Sequence, residues 1–325
     1  MPEDVHPPVS FFPQMHYPQC MKKISQIIKL LMPSENFDAL GIGIIDFKAQ
    51  SFRALEVNHF EEDLKFKDDP TLYFDLASLT KPLTNSLSYF LKPETFDEQM
   101  KLALSHRGGI PAWGLLPHEG WREQVESYPI KEGETLYSDF SALRVHLELA
   151  RKRIDQKELC KTVWDKETLF WKELPVHFPT PQYGYKNGLP NFGQVHDPNA
   201  WVINDFTSHA GLFSTIDGLC RTLLNYQKQT GFIEKVKADL DTHKHRFSFG
   251  WDRVENPQNT LAGIGCGPKT FGHLGFTGTS IWIDPEKMLG HVILSNATKY
   301  YWYDKVGLND LRRAIGEVVW KQEGI

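Results

Sequence analysis

The alternation of hydrophobic and polar positions predicts regular structure near the start of the chain. Four aliphatic residues before Pro33 share one stripe of a helical period: Ile24, Ile27, Ile28 and Leu31. This stripe predicts an amphipathic helix that Pro33 ends. Two β-prone runs follow at residues 40–47 and 51–57, joined by a short polar break. That arrangement is typical of a β-hairpin.

The last quarter of the chain repeats this mixture of strands and a helix. Three β-type runs cover residues 272–276, 279–283 and 290–294. A final helix carries four aliphatic residues on one side: Leu308, Leu311, Ile315 and Val318. Strands and a helix at each end of the chain predict an α/β fold whose antiparallel sheet is assembled from both ends and flanked by helices.

The same pattern divides the chain into three predicted parts. Residues 1–20 contain five prolines and are expected to form an extended tail on the surface. Residues 21–85 and 200–325 are assigned to the sheet domain. Residues 86–199 are helical and loop-rich in pattern, and we interpret them as a mainly helical inserted domain.

Composition restricts the class of protein and its partners. The chain has 325 residues, of which 41% are hydrophobic and 24% charged, with a net charge of −5. This balance is typical of a globular protein and gives no electrostatic reason to expect nucleic acid as a partner. No apolar run is long enough for a membrane span, and the N-terminus lacks a secretory pattern. A cytoplasmic location is therefore expected, or a periplasmic or exported one if a leader has been removed. The four cysteines lack zinc or disulfide spacing and are expected to be buried thiols.

Ser78 and Lys81 are the clearest catalytic candidates, because they place a hydroxyl and an amine three positions apart. Residues three apart on a helix are side-chain neighbours, so the pair can act as nucleophile and base. An amine acts as a base at neutral pH only when its pKa is lowered, for example by burial. Pro82 lacks an amide hydrogen and is tolerated in a first helical turn, so Ser78 is predicted at a helix N-terminus, which favours an oxyanion.

One Ser-x-x-Lys match is expected by chance, so its context decides its meaning. Residues 74–82 resemble the first motif, Ser-x-x-Lys, of the serine β-lactamase and penicillin-binding superfamily, and Tyr137-Ser138-Asp139 resembles the second, Tyr-x-Asn. Residues 272–279 resemble the third, Lys-Thr-Gly, in its His-x-Gly form. Three further blocks follow the family's order: residues 104–111, 195–200 and 208–215. The group it resembles most comprises class C β-lactamases, D-alanyl-D-alanine peptidases and related esterases.

The resemblance implies roles for the motif residues. Ser78 would attack a substrate carbonyl to give an acyl-enzyme, and either Lys81 or Tyr137 would take its proton. The Lys81 ammonium would favour the phenolate of Tyr137, which could pass a proton to the leaving group. His273 occupies the place of the third-motif Lys and would supply hydrogen bonding and positive charge, which makes activity depend on pH through its imidazole.

The backbone of the third motif completes the expected site. Gly275 would let the strand approach the substrate without a Cβ in the way. The N–H of Phe276 would then pair with that of Ser78 as the oxyanion hole. His106, His196 and His209 invite a metal interpretation, but no metal-binding spacing accompanies them. We therefore expect no metal and no cofactor.

Two positions depart from the family pattern and shape the predicted activity. Asp139 replaces the usual Asn at a substrate-binding position, and an ionised carboxylate accepts hydrogen bonds but cannot donate them. Asp139 is therefore expected to weaken amide recognition, and it could instead pair with Lys81 or hold it charged. Leu274 stands where the family often has Thr, which removes a hydroxyl that helps to bind a substrate carboxylate.

The predicted function is a serine hydrolase that cleaves a small ester, amide or lactam, with carboxylesterase-like activity favoured. The alternative within this class is a D-alanyl-D-alanine peptidase, with a peptidoglycan-like substrate, or a β-lactamase. A non-catalytic sensor of the penicillin-binding type is the alternative from another class. The sequence gives no oligomeric state.

Overall fold

The structure is a computed structural model that describes residues 17–60, 63–67, 71–300 and 304–321. Its α-helices are α1 (Tyr17–Leu31), α2 (Leu87–Leu91), α3 (Glu98–Leu104), α4 (Trp121–Ser127), α5 (Asp139–Arg151), α6 (Gln156–Lys161), α7 (Pro198–Ile203), α8 (Ile216–Thr230), α9 (Phe232–Thr242) and α10 (Val306–Trp320). Its strands are β1 (Ala39–Asp46), β2 (Ser51–Phe60), β3 (Asp63–Lys67), β4 (Phe74–Asp75), β5 (Thr168–Phe170), β6 (Tyr185–Lys186), β7 (Leu189–Pro190), β8 (Leu212–Ser214), β9 (Phe247–Ser248), β10 (Trp251–Arg253), β11 (Phe271–Leu274), β12 (Ser280–Asp284) and β13 (Leu289–Ser295).

Eight strands form one antiparallel sheet in the order β3-β2-β1-β13-β12-β11-β10-β9. The predicted hairpin is present, with Ile42 of β1 opposite Leu55 of β2. On its other side Ile42 lies opposite Ile293 of β13, so the first strands of the chain pair directly with the last. The predicted fold class, an α/β fold with an antiparallel sheet built from both ends of the chain, is confirmed.

Helices cover both faces of β1, which explains why this strand is buried along its whole length. Ile42 and Ile44 pack in one apolar core with residues of α1 and α10. On the opposite face α8 approaches so closely that a Cβ added at Gly43 would lie 2.4 Å from Cys220 Sγ. A strand covered on both faces has a continuous apolar sequence rather than an alternating one.

The stretch after the first motif forms a separate apolar cluster. Residues of α3, α4 and α5, among them Met100, Trp121 and Phe140, pack against one another in this cluster. The same stretch also contributes β5, which pairs with β8 in a small sheet of order β4-β8-β5. This small sheet leads directly into the Ser78 segment, because β4 ends at Asp75.

Several details differ from the sequence expectations, among them the start of α1 and the short strands of the sheet. Helix α1 begins at Tyr17 and so includes the last four residues of the predicted tail; Pro18 is compatible with a first helical turn, where its missing N–H would have no partner. The rest of the tail, residues 1–16, lies outside the described residues. Strands β9 and β10 were not predicted, because runs of two and three residues carry no periodic signal.

The four cysteines are buried, as expected. Within the described parts of the chain, no helix combines the length and the apolar character that crossing a bilayer requires.

Candidate active site

Ser78 lies in an irregular helical segment that follows β4. A 3-10 turn covers Ala77–Leu79, and a π-helical turn covers Pro82–Ser86 before α2 begins. Pro82 therefore starts the π turn rather than lying in the first turn, because the tighter 3-10 turn precedes it. Ala77 has φ 46°, a left-handed conformation that is rare for a residue with a Cβ. Backbone strain and π turns of this kind occur frequently at functional sites.

The buried carboxylate of Asp75 holds this segment in place. Its Oδ1 accepts a hydrogen bond from the Ala77 N–H at 2.8 Å, and its Oδ2 accepts one from the His196 N–H at 2.7 Å. Thr277 Oγ1 donates to the Asp75 carbonyl oxygen at 2.7 Å. Burial raises the pKa of Asp75 to about 7, although the two backbone N–H groups act in the opposite direction. Asp75 thus joins three chain segments around Ser78.

The Lys81 ammonium is surrounded by three oxygen atoms. Its Nζ donates to Ser78 Oγ at 2.9 Å and to the His209 backbone oxygen at 3.0 Å. The third oxygen is Asp139 Oδ1, which forms an ion pair with Nζ at 2.6 Å. The ammonium thus donates two hydrogen bonds, and the Asp139 carboxylate balances its charge.

The surroundings of Lys81 contradict the expected lowering of its pKa. Burial alone lowers that pKa, but the Asp139 carboxylate and then the Tyr137 phenol raise it, and the resulting pKa is above the ordinary value. Lys81 is therefore an ammonium at neutral pH, and the expectation of a lowered pKa is wrong. The structure shows instead the second possibility, in which Asp139 pairs with Lys81 and holds it charged.

Tyr137 and Asp139 reach the site from the start of α5. Ser138 between them is the N-cap: its Oγ accepts from the Ser141 N–H at 2.8 Å and donates to the Pro111 oxygen at 2.6 Å. Ser138 is extended, so the side chains on either side of it point the same way. The first helical turn is also where the helix dipole favours a carboxylate.

Tyr137 is a neutral phenol rather than a phenolate. Burial raises its pKa, the Lys81 ammonium lowers it and Asp139 raises it again, and the resulting pKa is above the ordinary value. The phenol also lies close enough to the Ser78 hydroxyl to interact with it. The expectation that Lys81 would favour the phenolate is therefore wrong for the free protein.

His273 lies on β11, with its ring 5.8 Å from that of Tyr137. Burial lowers the pKa of His273 to about 3, and Lys81 acts in the same direction. The expectation that His273 supplies positive charge is therefore wrong, because the ring is neutral at physiological pH. In the neutral tautomer that fits this geometry, Nδ1–H donates to the Leu274 oxygen at 2.8 Å. Nε2 is then an acceptor, and no described protein atom donates to it.

The packing of the protein itself leaves no room for a Cβ at Gly275. A Cβ at this position would lie 1.9 Å from Thr279 Oγ1 and 2.7 Å from the Leu76 oxygen. The end of β11 therefore lies against the segment that precedes Ser78, a contact that the expectation for Gly275 did not include. Phe276 follows with 44% of its surface exposed. That its N–H forms an oxyanion hole with that of Ser78 stays a prediction.

A cavity of about 520 Å³ opens beside Ser78. Its lining consists of aromatic, small and acidic residues: Ala77, Ser78, Trp113, Tyr137, Asp139, His196, Asp197, Pro198, Ala210 and Phe276. Trp113 is 50% exposed, which is unusual for an indole and adds to the open aromatic surface that Phe276 provides. The volume and the mainly apolar lining suit a small-molecule substrate.

Some cavity residues were not predicted as site residues. Asp197 Oδ1 accepts from the Ala200 N–H at 2.8 Å and lies 2.9 Å from His209 Nε2. The His196 ring lies 5.5 Å from that of Phe276, and burial lowers the pKa of His196 to about 4. The sequence signals for them were their place in blocks that follow the order of the resembled family and the metal interpretation that His196 invited. In the part of the chain that the structure describes, no group of three or more His, Cys, Asp or Glu residues is placed to hold a metal ion.

Comparison with known proteins gives the family context of this site. The Beta-lactamase family model matches residues 155–312. A putative D-alanyl-D-alanine carboxypeptidase of Salmonella enteritidis is 36% identical over 132 residues, which cover 37% of this chain and 29% of that protein. A protein of the same name from Salmonella agona aligns with the same identity and coverage. The alignment therefore spans less than a third of the length of these curated relatives.

Solved structures match nearly the whole chain at low sequence identity. A mutant class C β-lactamase has a TM-score of 0.62 at 9% identity, over 94% of this chain and 99% of that chain. A D-alanine carboxypeptidase from Burkholderia cenocepacia has a TM-score of 0.61 at 15% identity, over 91% and 98% of the two chains. The predicted resemblance is confirmed: the chain has the fold of the class C β-lactamases, and residues 155–312 match the Beta-lactamase family model.

Proposed function

We propose that the protein is a serine hydrolase that cleaves a small ester, amide or lactam through an acyl-Ser78 intermediate. One observation carries this proposal: Ser78 Oγ lines an open cavity and lies 2.9 Å from the Nζ of buried Lys81. The family match and the class C fold support it. A nucleophile beside a proton-transfer group that a third residue holds in place is the general arrangement of covalent catalysis.

In the proposed reaction, Ser78 Oγ attacks the substrate carbonyl carbon, and the carbonyl electron pair moves onto oxygen. The backbone N–H groups of Ser78 and Phe276 are the proposed donors to this oxyanion. Tyr137 lies beside both Ser78 and Lys81, which suits it to pass a proton to the leaving group. Water then cleaves the acyl-enzyme and releases Ser78.

Within this class we propose carboxylesterase-like activity first. A neutral His273 gives a substrate carboxylate no positive charge, and Leu274 gives it no hydroxyl. The open aromatic surface of Trp113 and Phe276 instead suits an apolar acyl group. D-alanyl-D-alanine carboxypeptidase activity is the second candidate, because the curated relatives carry that name.

The test compares Ser78→Ala with Ser105→Ala, which removes a hydroxyl at the end of α3 outside the cavity. Each protein is incubated with p-nitrophenyl acetate and with a fluorescent penicillin, and intact mass reports acylation. We expect the wild type and Ser105→Ala to acquire one acyl group and turn over the ester, and Ser78→Ala to do neither. Ester turnover by Ser78→Ala near the wild-type rate would overturn the proposal.

The same experiment separates the candidate activities. Ester turnover without a penicillin adduct supports the esterase. Rapid penicillin hydrolysis supports a β-lactamase. A durable penicillin adduct together with release of D-alanine from a D-Ala-D-Ala peptide supports the carboxypeptidase. A durable adduct without turnover of any substrate supports the non-catalytic sensor.

A further inference from the structure

We propose that Asp139 receives a proton from Lys81 when Ser78 is acylated, so that the working base is the Lys81–Asp139 pair rather than Lys81 or Tyr137 alone. This inference rests on the proposed function, because it requires Ser78 to be acylated. It concerns the position at which this chain departs from the family's Tyr-x-Asn pattern.

The ammonium of Lys81 explains why a further acceptor is needed. An ammonium has no lone pair, so Lys81 cannot take the Ser78 proton until it has lost one of its own. Four groups surround it: the Ser78 hydroxyl, the His209 carbonyl, the Asp139 carboxylate and the Tyr137 phenol. The hydroxyl is the nucleophile, and an amide carbonyl and a neutral phenol are far weaker bases than a carboxylate. Asp139 is therefore the neighbour able to hold the proton, and its Oδ1 lies 2.6 Å from Nζ.

The proton transfers balance among these groups. A proton moves from Lys81 Nζ to Asp139 Oδ1, which converts ammonium and carboxylate into amine and carboxylic acid. The amine then takes the Ser78 hydroxyl proton as the bond from Oγ to the carbonyl carbon forms. When the tetrahedral intermediate collapses, the bond to the leaving group breaks and Lys81 delivers the proton to that group by way of Tyr137. Asp139 finally returns its proton to Lys81.

Substrate binding favours this transfer. Two charges in a site that has lost its water are penalised relative to a neutral hydrogen-bonded pair. The Lys81 side chain is already almost completely buried, whereas Asp139 lines the cavity and keeps some exposure to solvent. A substrate that covers the cavity removes that solvent from Asp139. The ion pair is thus stable in the free protein and easier to neutralise in the complex.

The charges of the other titratable groups around the Lys81–Asp139 pair follow from the surroundings of each group. Burial raises the pKa of Tyr137 and lowers the pKa values of His106 and His273, so each of these shifts favours the neutral form of the group. Asp197 has a lowered pKa and stays charged beside the His209 ring. Arg246 is paired with Asp252.

Two groups near the cavity do titrate in this range. Burial raises the pKa of Asp75 to about 7 and lowers that of Lys305, which lies over the Phe276 ring, to about 8. Neither group touches the Lys81 ammonium. The wild type and an Asp139 variant share Asp75 and Lys305. The titration of these two groups therefore cancels when the two pH profiles are compared, which is why the test includes the variant.

The test measures the single-turnover acylation rate constant with p-nitrophenyl acetate from pH 5 to 9.5. For the wild type we expect less than about a threefold change between pH 7.5 and 9.5, because the pair keeps one shared proton. Lys81 or Tyr137 acting alone would have to ionise first, which gives about a hundredfold rise over those two pH units. For Asp139→Asn we expect a rise with pH that follows ionisation of Lys81, since the carboxylate acceptor is gone.

Controls keep the outcomes distinct. Glu98→Gln removes a carboxylate from an exposed ion pair with Lys101 and should keep the wild-type profile. Acylation of Ser78→Ala would refute the proposed function itself. With that variant inactive, a wild-type rate that rises tenfold per pH unit, or an Asp139→Asn profile parallel to that of the wild type, would overturn this inference alone. If Asp139→Asn folds poorly, the wild-type profile still separates the two outcomes, because ionisation of Lys305, with a pKa of about 8, levels off by pH 9.5 and cannot give a hundredfold rise.

Discussion

Asp75 and His196 are joined by a hydrogen bond across 121 positions of the chain, with Asp75 Oδ2 accepting the His196 backbone N–H at 2.7 Å. The other carboxylate oxygen accepts the N–H of Ala77, which immediately precedes Ser78. One buried side chain therefore fixes both the nucleophile segment and a wall of the cavity. Charge on that side chain is costly, since burial raises the pKa of Asp75 to about 7.

Asp75→Asn is expected to change how stability depends on pH. An acid whose pKa is higher in the folded state than in the unfolded state loses stability as pH rises from the unfolded value, about 4, to the folded value, about 7. Asn does not ionise. Between pH 5 and 8 the free energy of unfolding of the wild type should therefore fall relative to that of Asp75→Asn, by on the order of 2 kcal/mol.

Urea denaturation of both proteins at pH 5, 6, 7 and 8 checks this. Asp310→Asn, which removes an exposed carboxylate of α10 paired with Arg313, is the matched control and should track the wild type. A difference between Asp75→Asn and the wild type that stays constant with pH would show that Asp75 does not titrate in this range.

The framework of the fold was predictable because its signals are local. The apolar stripe before Pro33 follows the helical period, and the two runs of the hairpin are rich in β-prone residues. The short strands β9 and β10 have no such signal and are strands only because β10 pairs with β11 and β9 pairs with β10. The start of α1 was missed because Pro18 suggests extended chain, yet a first helical turn also tolerates proline.

His273→Asn is expected to leave the pH profile of acylation unchanged in shape between pH 5 and 8. The wild-type imidazole is neutral over this whole range, because burial lowers the pKa of His273 to about 3. The variant removes an imidazole beside Tyr137 but no charge, so the acylation rate constant should change by the same factor at every pH. Stopped-flow acylation with p-nitrophenyl acetate measures this. An acid limb near pH 6.5 that is present in the wild type and absent from the variant would contradict a neutral His273.

The sequence predicted the positions of the site residues better than it predicted their protonation states. Ser78 and Lys81 are three positions apart, and the order of the motifs implied that Tyr137 and Asp139 would join them. Whether Lys81 is an amine or an ammonium depends on burial, on the Asp139 carboxylate 2.6 Å away and on the Tyr137 phenol, an arrangement that only the fold determines. Burial of His273 likewise follows from the packing of β11, so its sequence position gave the wrong charge.

Gly275→Ala is expected to destabilise the fold and to disturb the site. A Cβ there would overlap Thr279 Oγ1 and press on the Leu76 oxygen, so β11 would have to move away from the Ser78 segment. Overpacking of this kind typically costs about 1–3 kcal/mol. Gly133→Ala is the control, because its added Cβ would meet nothing closer than 3.9 Å. Thermal denaturation and ester turnover measure both effects, and a Gly275→Ala protein as stable and active as the control would contradict the contact.

His291 on β13 provides a test of acid stability outside the cavity. Its Nε2 lies 3.0 Å from the Ala262 oxygen, and burial lowers the pKa of His291 to about 4. A base with a lowered folded-state pKa contributes stability that is complete above the unfolded pKa, near 6.5, and is lost as pH falls towards 4. At pH 5 the wild type should have lost about 2 kcal/mol relative to His291→Gln, whose amide can still donate to Ala262 but does not titrate. Denaturant titrations of the two proteins at pH 7.5 and pH 5 measure this difference. A gap that does not change between the two pH values would mean that His291 is protonated equally in the folded and unfolded chains.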